Sequence, residues 1–187
     1  MRIILNLTAI LLFSSFSAKS YSQTDSGYVY KVPEAYLSLK LPNEKWKLSN
    51  DDGNRKEGYF FKREPFIDSN GRKIIPAIML FIEDATSFKK DVVLFSRVKR
   101  QSFLDKGATL DETLIQSDKK YPLQIKNGMF LKCSYKRNDI DHILYMVHII
   151  TKRDKGVQLY LDMTADIAEV CEPEFQVAMR SLTETND

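Results

Sequence analysis

The sequence predicts an α+β domain in which a mostly antiparallel sheet of about six or seven strands is sandwiched by two main helices. Two observations support this fold class. Most of the chain alternates apolar and polar residues in short runs joined by tight turns, which favours antiparallel strands. The period changes to that of an amphipathic helix only twice, in the middle of the chain and near its C-terminal end.

The first half of the chain begins with strands. Residues 36–41 place alternating leucines on one face, as a half-buried strand requires. A second extended run includes residues 59–61, and Asn70-Gly71 supplies the positive-φ residues of a tight hairpin. The return strand over residues 74–82 is nearly all apolar, so the sequence predicts that it is central and covered on both faces.

The first helix is predicted over residues 87–106, where Gly107 ends it. Five apolar side chains fall on one side when the segment is wound at about 100° per residue. They are Phe88, Val92, Phe95, Val98 and Phe103.

The second half returns to strands and ends in a helix. Four strands are predicted, at residues 109–116, 129–136, 142–150 and 157–164. The closing helix over residues 167–182 contains Pro173, which marks either a kink or the first helical position of a second part.

The first 22 of the 187 residues have the layout of a secretory signal peptide, with a positive start at Arg2. Residues 3–13 form an apolar run, and residues 14–22 are small and weakly polar. That run is roughly half the ~20 residues of a membrane-spanning helix, so no transmembrane anchor is expected after cleavage. The sequence therefore predicts a signal peptide at 1–22 and one exported domain at 23–187, periplasmic or secreted.

The charge balance argues against one class of partner, nucleic acid. Removing Arg2 and Lys19 with the signal peptide lowers the formal net charge from +3 to +1. Nucleic-acid-binding domains carry a marked positive field, which this near-neutral chain lacks. No nucleic-acid partner is expected.

The two cysteines, Cys133 and Cys171, leave two interpretations open. An exported protein meets an oxidising compartment in which they could form a disulfide. They could equally be small buried hydrophobic residues, because the sequence does not supply the distance between their Cβ atoms.

A search for catalytic and cofactor motifs finds none. The sequence contains no Gly-x-Ser-x-Gly elbow, glycine-rich phosphate loop, zinc-binding helix motif or Cys-x-x-Cys pair. No catalytic residue and no cofactor are therefore predicted. A divalent-metal site built by Asp139, Asp141 and His142 is a weaker hypothesis, since carboxylates with an imidazole suit such ions but the ligand set is not closed.

A possible recognition surface follows from aromatic and charged residues that alternate on the strands. Together these side chains would form an amphipathic platform on one sheet face, unless a helix covers that face. The candidates are Tyr36, Lys40, Phe130, Lys132, Lys136, Tyr160 and Asp162.

Two other features are interpreted as structural: Trp46 as a core residue, and Glu172 and Glu174 as solvated helix residues.

The order of elements resembles the Mog1/PsbP-like superfamily over nearly all of the predicted mature domain. The residues that carry the likeness are Leu41-Pro42 followed by Trp46, the mid-chain helix, the hairpins, and a closing strand and helix that finish at Arg180-Ser181-Leu182. The resemblance implies an antiparallel sheet sandwiched by helices. Members of that superfamily serve as accessory subunits, small-GTPase partners or chaperones for exported effectors, so it also implies a binding or accessory role and transfers no catalytic residue.

These observations predict an exported, non-catalytic binding or accessory protein that recognises a protein partner or an envelope component. The alternative is a small-molecule or metal-binding protein, or a minor hydrolase, of the envelope.

Overall fold

The computed structural model describes residues 29–49, 58–68, 70–115 and 123–186. The predicted signal peptide at 1–22 lies outside the described residues. Within them, no helix is both long enough and apolar enough to cross a membrane. The strands and helices, in chain order, are β1 (Val29–Val32), β2 (Leu37–Lys40), β3 (Trp46–Leu48), β4 (Tyr59–Arg63), β5 (Phe66–Ile67), β6 (Lys73–Ile74), β7 (Ala77–Asp84), α1 (Val92–Leu104), β8 (Thr109–Ile115), β9 (Gly128–Arg137), β10 (Ile140–Ile150), β11 (Lys155–Thr164), α2 (Ala168–Ser181) and β12 (Thr183–Glu184).

Seven strands form one antiparallel sheet in the order β3-β4-β7-β11-β10-β9-β8. This arrangement, with a helix on each side, confirms the predicted fold class. Two smaller sheets, β1-β2-β12 and β5-β6, accompany the main one. The first of these joins distant parts of the chain, since the hydroxyls of Ser38 and Thr183 lie 2.7 Å apart.

The larger part of the core lies between the main sheet and α2. The alternating side chains of β11 that begin at Val157 point towards α2, and Phe175 is fully buried among them. Helix α2 runs continuously through Pro173. The predicted closing helix is therefore confirmed as one helix rather than two.

The opposite sheet face carries a smaller core beneath α1. Phe95 is the anchor of this helix, and it packs over Gly156 of β11. A Cβ atom at Gly156 would lie 2.8 Å from the Phe95 ring, so only glycine allows the helix to approach this closely. The helix begins at Val92 because the Asp91 carboxylate caps it by accepting a hydrogen bond from the Leu94 N–H at 2.9 Å.

The apolar stripe predicted for α1 is only partly buried. Phe95 is fully buried, but Val98 is 51% exposed. Ser96 is also fully buried, which shows that the contact line of the helix is rotated away from Val98. Helix α1 therefore touches the sheet along a narrow strip.

Candidate functional site: the open face of the sheet

Helix α1 covers only part of its side of the sheet. It packs mainly on β9 and β10, and it reaches β7 where Lys99 pairs with Glu83. On β7, Met79 lies opposite Tyr160 on one side and Phe60 on the other. Residues directly opposite each other in a sheet share a face, so the register identifies the surface that α1 leaves uncovered.

We call this surface the open face. Each of its members is half-buried and points to the α1 side of the sheet from β4, β7, β9, β10 or β11. They are Phe60, Lys62, Ala77, Met79, Phe81, Tyr135, His142 and Asp162.

Aromatic rings form a row that links the open face to helix α1. Phe60 meets Phe81 edge to face at 5.6 Å between ring centroids, and Phe81 lies 5.7 Å from Tyr160. Phe103 of α1 continues the row at 5.2 Å from Tyr160. Because Tyr160 is 6% exposed, it supports the row from below while Phe60 and Phe81 present part of their rings to solvent.

A polar chain fixes the Tyr160 end of this row. The Tyr160 hydroxyl donates to Gln158, whose amide donates to Glu83 at 2.6 Å. Lys99 of α1 pairs with the same carboxylate at 2.5 Å. Burial raises the pKa of Tyr160, and the nearby Glu83 charge raises it further, so the hydroxyl remains a hydrogen-bond donor at neutral pH.

The other end of the open face carries three polar side chains from three adjacent strands. The Tyr135 hydroxyl donates to Asp162 Oδ1 at 3.0 Å, and His142 Nδ1 lies 3.2 Å from that same oxygen. The Tyr135 and His142 rings stack at 4.8 Å. Burial raises the pKa of Tyr135, and the Asp162 charge adds to that shift. The arrangement holds one carboxylate in a fixed position at the margin of an apolar surface.

The structure does not bring the predicted platform residues together. Tyr160 and Asp162 lie on the α1 side of the sheet. Phe130 and Lys132 lie on the α2 side, where Phe130 is 1% exposed and Lys132 Nζ lies 5.7 Å from the Tyr145 ring centroid. The prediction of one shared face is therefore wrong. The register places the even-numbered residues of β11 on the α1 side, whereas the even-numbered residues of β9 point to the α2 side.

Three further platform candidates lie elsewhere. Tyr36 follows a short turn before β2, with the Arg153 guanidinium 3.7 Å above its ring, and Lys40 is exposed at the end of β2. Lys136 is exposed on the α2 side of β9. None of the three adjoins the open face.

The three metal-site candidates are also separated. Asp139 lies in the turn between β9 and β10. Asp141 faces the side opposite to His142 and lies 3.7 Å from Lys136 Nζ. No cluster of three metal-ligating side chains occurs within the described residues, and His142 is instead engaged with Tyr135 and Asp162.

The two cysteines are free and buried. Cys133 belongs to the core beneath α1, and Cys171 belongs to the core beneath α2. The main sheet lies between them, so the structure supports the interpretation of both as small buried hydrophobic residues.

Glu174 corrects another prediction, because it is not solvated. Its carboxylate accepts hydrogen bonds from Arg63 Nε at 2.7 Å, Arg63 Nη2 at 3.0 Å and Asn43 Nδ2 at 2.9 Å. Trp46 is 1% exposed and donates its indole N–H to the same group at 2.7 Å. The interpretation of Trp46 as a core residue is confirmed, with an added role in this cluster.

The sequence pattern does not predict that the apolar residues of the open face on β7 are partly exposed. Residues 74–82 were expected to be covered on both faces, yet Met79 and Phe81 of β7 are half-buried. A signal was present in the neighbouring strand, where Lys62 alternates with buried residues and thus indicates a face open to water.

A cleft beside the turn between β10 and β11 is a less convincing site. It is lined in part by Lys90, Lys152 and Asn127. Lys90 Nζ already donates to two backbone carbonyls and pairs with Asp154 at 2.8 Å, while Lys152 Nζ lies 3.4 Å from Glu184. Lys126 also lines this cleft, so two of its three lysines are already paired within the protein itself.

Comparisons with known proteins show which solved structures share this fold. A scan against protein-family models finds no match, and a sequence search of curated proteins finds none. The structure is similar to the cyanobacterial PsbP (CyanoP) of Synechocystis sp. PCC 6803, with a TM-score of 0.54, 12% identity, and coverage of 87% of this chain and 97% of that one. It is also similar to LpqN of Mycobacterium tuberculosis, which is involved in cell envelope biogenesis, with a TM-score of 0.52, 14% identity, and 87% of each chain covered. The predicted resemblance to PsbP-like proteins is thereby confirmed at the level of the fold.

Proposed function

We propose that this protein is an exported, non-catalytic binding module that recognises a protein partner of the cell envelope through the open face. The observation that carries the proposal is a contiguous group of large apolar side chains that are only half-buried on one part of the sheet: Phe60, Met79 and Phe81. Contiguous apolar patches at the surface of soluble domains often mark sites of interaction.

The chemistry of the open face suits a protein partner. Aromatic and methionine side chains are enriched in the cores of protein interfaces, where they adapt to varied surfaces. Lys62, His142 and Asp162 supply a polar margin on one side of the apolar centre.

Two further observations support the envelope as the place of action. The first 22 residues have the composition of a secretory signal peptide. LpqN, which shares the fold, is involved in cell envelope biogenesis. Mass spectrometry of the N-terminal peptide of the mature protein tests export directly, with cleavage after Ser20 or Ser22 expected and a retained Met1 contradicting it.

The partner-binding proposal is tested with a double variant, Phe60→Gln with Met79→Gln. Tagged protein captures its partner from an extract of the cell envelope, and the amount retained is measured by quantitative mass spectrometry. The expected result is a stoichiometric partner with wild type and at least a tenfold loss with the variant, about 1.4 kcal/mol in binding.

The matched control is Val170→Gln with Val177→Gln, which changes two exposed apolar residues on the outer surface of α2. This control is expected to retain the partner. Thermal unfolding of both variants excludes loss of fold as the cause. Equal capture by the open-face variant and the control contradicts the proposal.

A further inference from the structure

We propose that the outer face of helix α1 attaches the domain to a membrane surface that carries anionic phospholipids. The outer face is defined by Val93, Leu94, Arg97 and Val98, four exposed side chains on the side of α1 that faces away from the sheet. It is a different surface from the open face and takes a partner of a different class, so it goes beyond the proposed function.

The outer face carries exposed apolar side chains that are neighbours on the helix. Seven large hydrophobic side chains are exposed among the described residues, and three of them belong to α1. Val93 is 48% exposed, Leu94 is 42% exposed and Val98 is 51% exposed. Positions three and four apart are adjacent on a helix, so Arg97 adjoins both Val93 and Leu94, and Leu94 adjoins Val98. The four side chains therefore form one continuous surface.

The small total charge of the chain is unevenly distributed between its two helices. Residues 85–108, which connect β7 to β8 and contain α1, have six basic and two acidic side chains, a formal net charge of +4. Residues 165–182, which connect β11 to β12 and contain α2, have four acidic side chains and one basic one, a formal net charge of −3. The two helices thus carry charge of opposite sign on opposite sides of the main sheet.

Part of the basic charge around α1 is already paired within the protein. Lys90 pairs with Asp154, and Lys99 pairs with Glu83. The other four basic residues of this stretch have no carboxylate within ion-pair distance in the part of the chain that the structure describes. They are Lys89, Arg97, Arg100 and Lys106.

No carboxylate belongs to the outer face itself. The sequence of α1 from Val92 to Leu104 contains three basic residues and no acidic one. The two acidic residues of the stretch lie at the ends of the helix, where Asp91 accepts the Leu94 N–H at 2.9 Å and Asp105 accepts the Gln101 amide at 2.8 Å. An anionic surface that approached the outer face would therefore meet uncompensated positive charge.

Exposed aliphatic side chains beside basic ones match the interface of an anionic bilayer. A helix that lies on a membrane places its apolar side chains among the headgroups, and its lysines and arginines are attracted to the negative surface. The stem of Arg97 can lie with Val93 and Leu94 while its guanidinium binds a phosphate. The outer face has no aromatic or methionine side chain of the kind enriched in protein interfaces, which favours a lipid surface over a protein.

Attachment through α1 leaves space for a partner at the open face. Both surfaces lie on the same side of the sheet, and a helix with its side chains is about 10 Å thick. A bilayer in contact with the outer face would therefore remain roughly one helix diameter away from Phe60 and Met79. The open face would then be directed towards the membrane, as recognition of a membrane-bound partner requires.

Co-sedimentation with lipid vesicles tests the proposal, using residues 23–187, which include every described strand and helix. The vesicles contain either phosphatidylcholine alone or phosphatidylcholine and phosphatidylglycerol in equal parts. Binding is expected to the mixed vesicles and to weaken as the salt concentration is raised, with little binding to phosphatidylcholine alone. Equal binding to both kinds of vesicle, or binding to neither, overturns the inference.

Two variants determine whether the outer face is responsible. Arg97→Gln is expected to weaken binding to the mixed vesicles about fivefold, the contribution of one basic residue close to an anionic surface. Val93→Gln with Val98→Gln is also expected to weaken binding, but without a change in its dependence on salt, because it removes apolar contact and no charge.

The matched controls make the same substitutions on α2. They are Arg180→Gln at an exposed arginine and Val170→Gln with Val177→Gln at two exposed valines. Both controls are expected to bind the mixed vesicles as the wild type does. Thermal unfolding of every variant excludes loss of fold as the cause of weaker binding.

Two further outcomes contradict the inference. Wild-type binding by both α1 variants would show that another surface attaches to the lipid. If wild type does not bind vesicles but Arg97→Gln loses the partner captured from envelope extract, the outer face receives an acidic protein instead. The capture test with Phe60→Gln and Met79→Gln does not alter α1, so the proposed function and this inference can fail separately.

Discussion

Arg63 and Glu174 form a two-pronged ion pair that joins β4 to α2, with nitrogen to oxygen distances of 2.7 and 3.0 Å. The Arg63 side chain is 6% exposed and that of Glu174 is 16% exposed. The guanidinium also stacks on Phe66 at 3.9 Å. This pair secures the C-terminal helix against the sheet on the side away from the open face.

Replacing Glu174 with alanine is expected to lower the free energy of unfolding by about 3–5 kcal/mol, because it leaves a buried guanidinium without its partner. Glu169→Ala, an exposed position on the same helix, is expected to cost about 0.5 kcal/mol. Urea denaturation of both variants measures the difference. Equal losses in the two variants would show that the ion pair contributes little.

The Arg63–Glu174 pair also makes the free energy of unfolding depend on pH in acid solution. Burial alone would raise the pKa of Glu174, but hydrogen bonds from Arg63, Trp46 and Asn43 outweigh it and lower that pKa below 4.5. Its contribution to stability is therefore fully present above the pKa of the unfolded chain, and is lost as pH falls through the lower folded value.

A second dependence on pH is expected from His148. Its side chain is fully buried against Ser96, and burial lowers its pKa to about 3, with a further contribution from Arg100 and Lys99. Between pH 3 and 6.5 the unfolded chain binds one more proton at this position than the folded chain. The free energy of unfolding should fall by about 1.4 kcal/mol per pH unit as the solution is acidified in this window.

Urea denaturation from pH 7.5 to 4.5 measures this slope in wild type and in His148→Gln. The variant is expected to lose the part of the slope below about pH 6.5. Identical slopes for the two proteins would mean that His148 does not remain neutral in the folded state.

The burial of Phe130 leads to a stability prediction rather than a binding one. Phe130→Ala should destabilise the domain by about 3–5 kcal/mol, since it removes a ring packed on Tyr145 in the α2-side core. Val177→Ala, at a site 42% exposed, is expected to change stability by about 0.5 kcal/mol or less. A fully stable Phe130→Ala protein would place this ring at the surface.

The thiols of Cys133 and Cys171 are expected to be unreactive in the folded protein. Burial raises the pKa of each to about 11, so little of the nucleophilic thiolate exists at neutral pH. A thiol reagent at pH 8 should detect no thiol in the native protein and two after unfolding in guanidinium without reductant. Detection of none after unfolding would reveal a disulfide.

The order of strands and helices could be predicted because each of the longer elements carries its own periodic pattern. β11 shows this most plainly, with four alternating apolar residues that all point towards α2. The short strands β1, β5, β6 and β12 are two to four residues long and have too few positions for a pattern to emerge.

Which residues of different strands lie on the same face of the main sheet could not be predicted in the same way. Alternation shows which residues of one strand lie together, but the relation between two strands depends on their register. The register sets Phe130 opposite Val147 and Tyr160 opposite Met146, neighbours in β10 that point to opposite faces. A shift of one residue reverses that relation, and no local sequence signal fixes it.

The environment of Glu174 was only partly predictable. It lies three residues after Cys171 and four before Ala178, so helical spacing places it beside the buried stripe of α2. Its partner Arg63 is 111 positions away, and nothing in the sequence links the two residues before the fold is known.

The pairing of β12 with β2 has a consequence for the order in which the molecule can assemble. These two strands are far apart in the sequence, since the paired residues Ser38 and Thr183 are separated by 145 positions. A chain that emerges with its N-terminal end first must hold β2 without this neighbour until the 145 positions from Ser38 to Thr183 have been delivered. Closing so large a loop is slow relative to forming the hairpins of β9, β10 and β11, so β2 and β12 pair after the main sheet has formed.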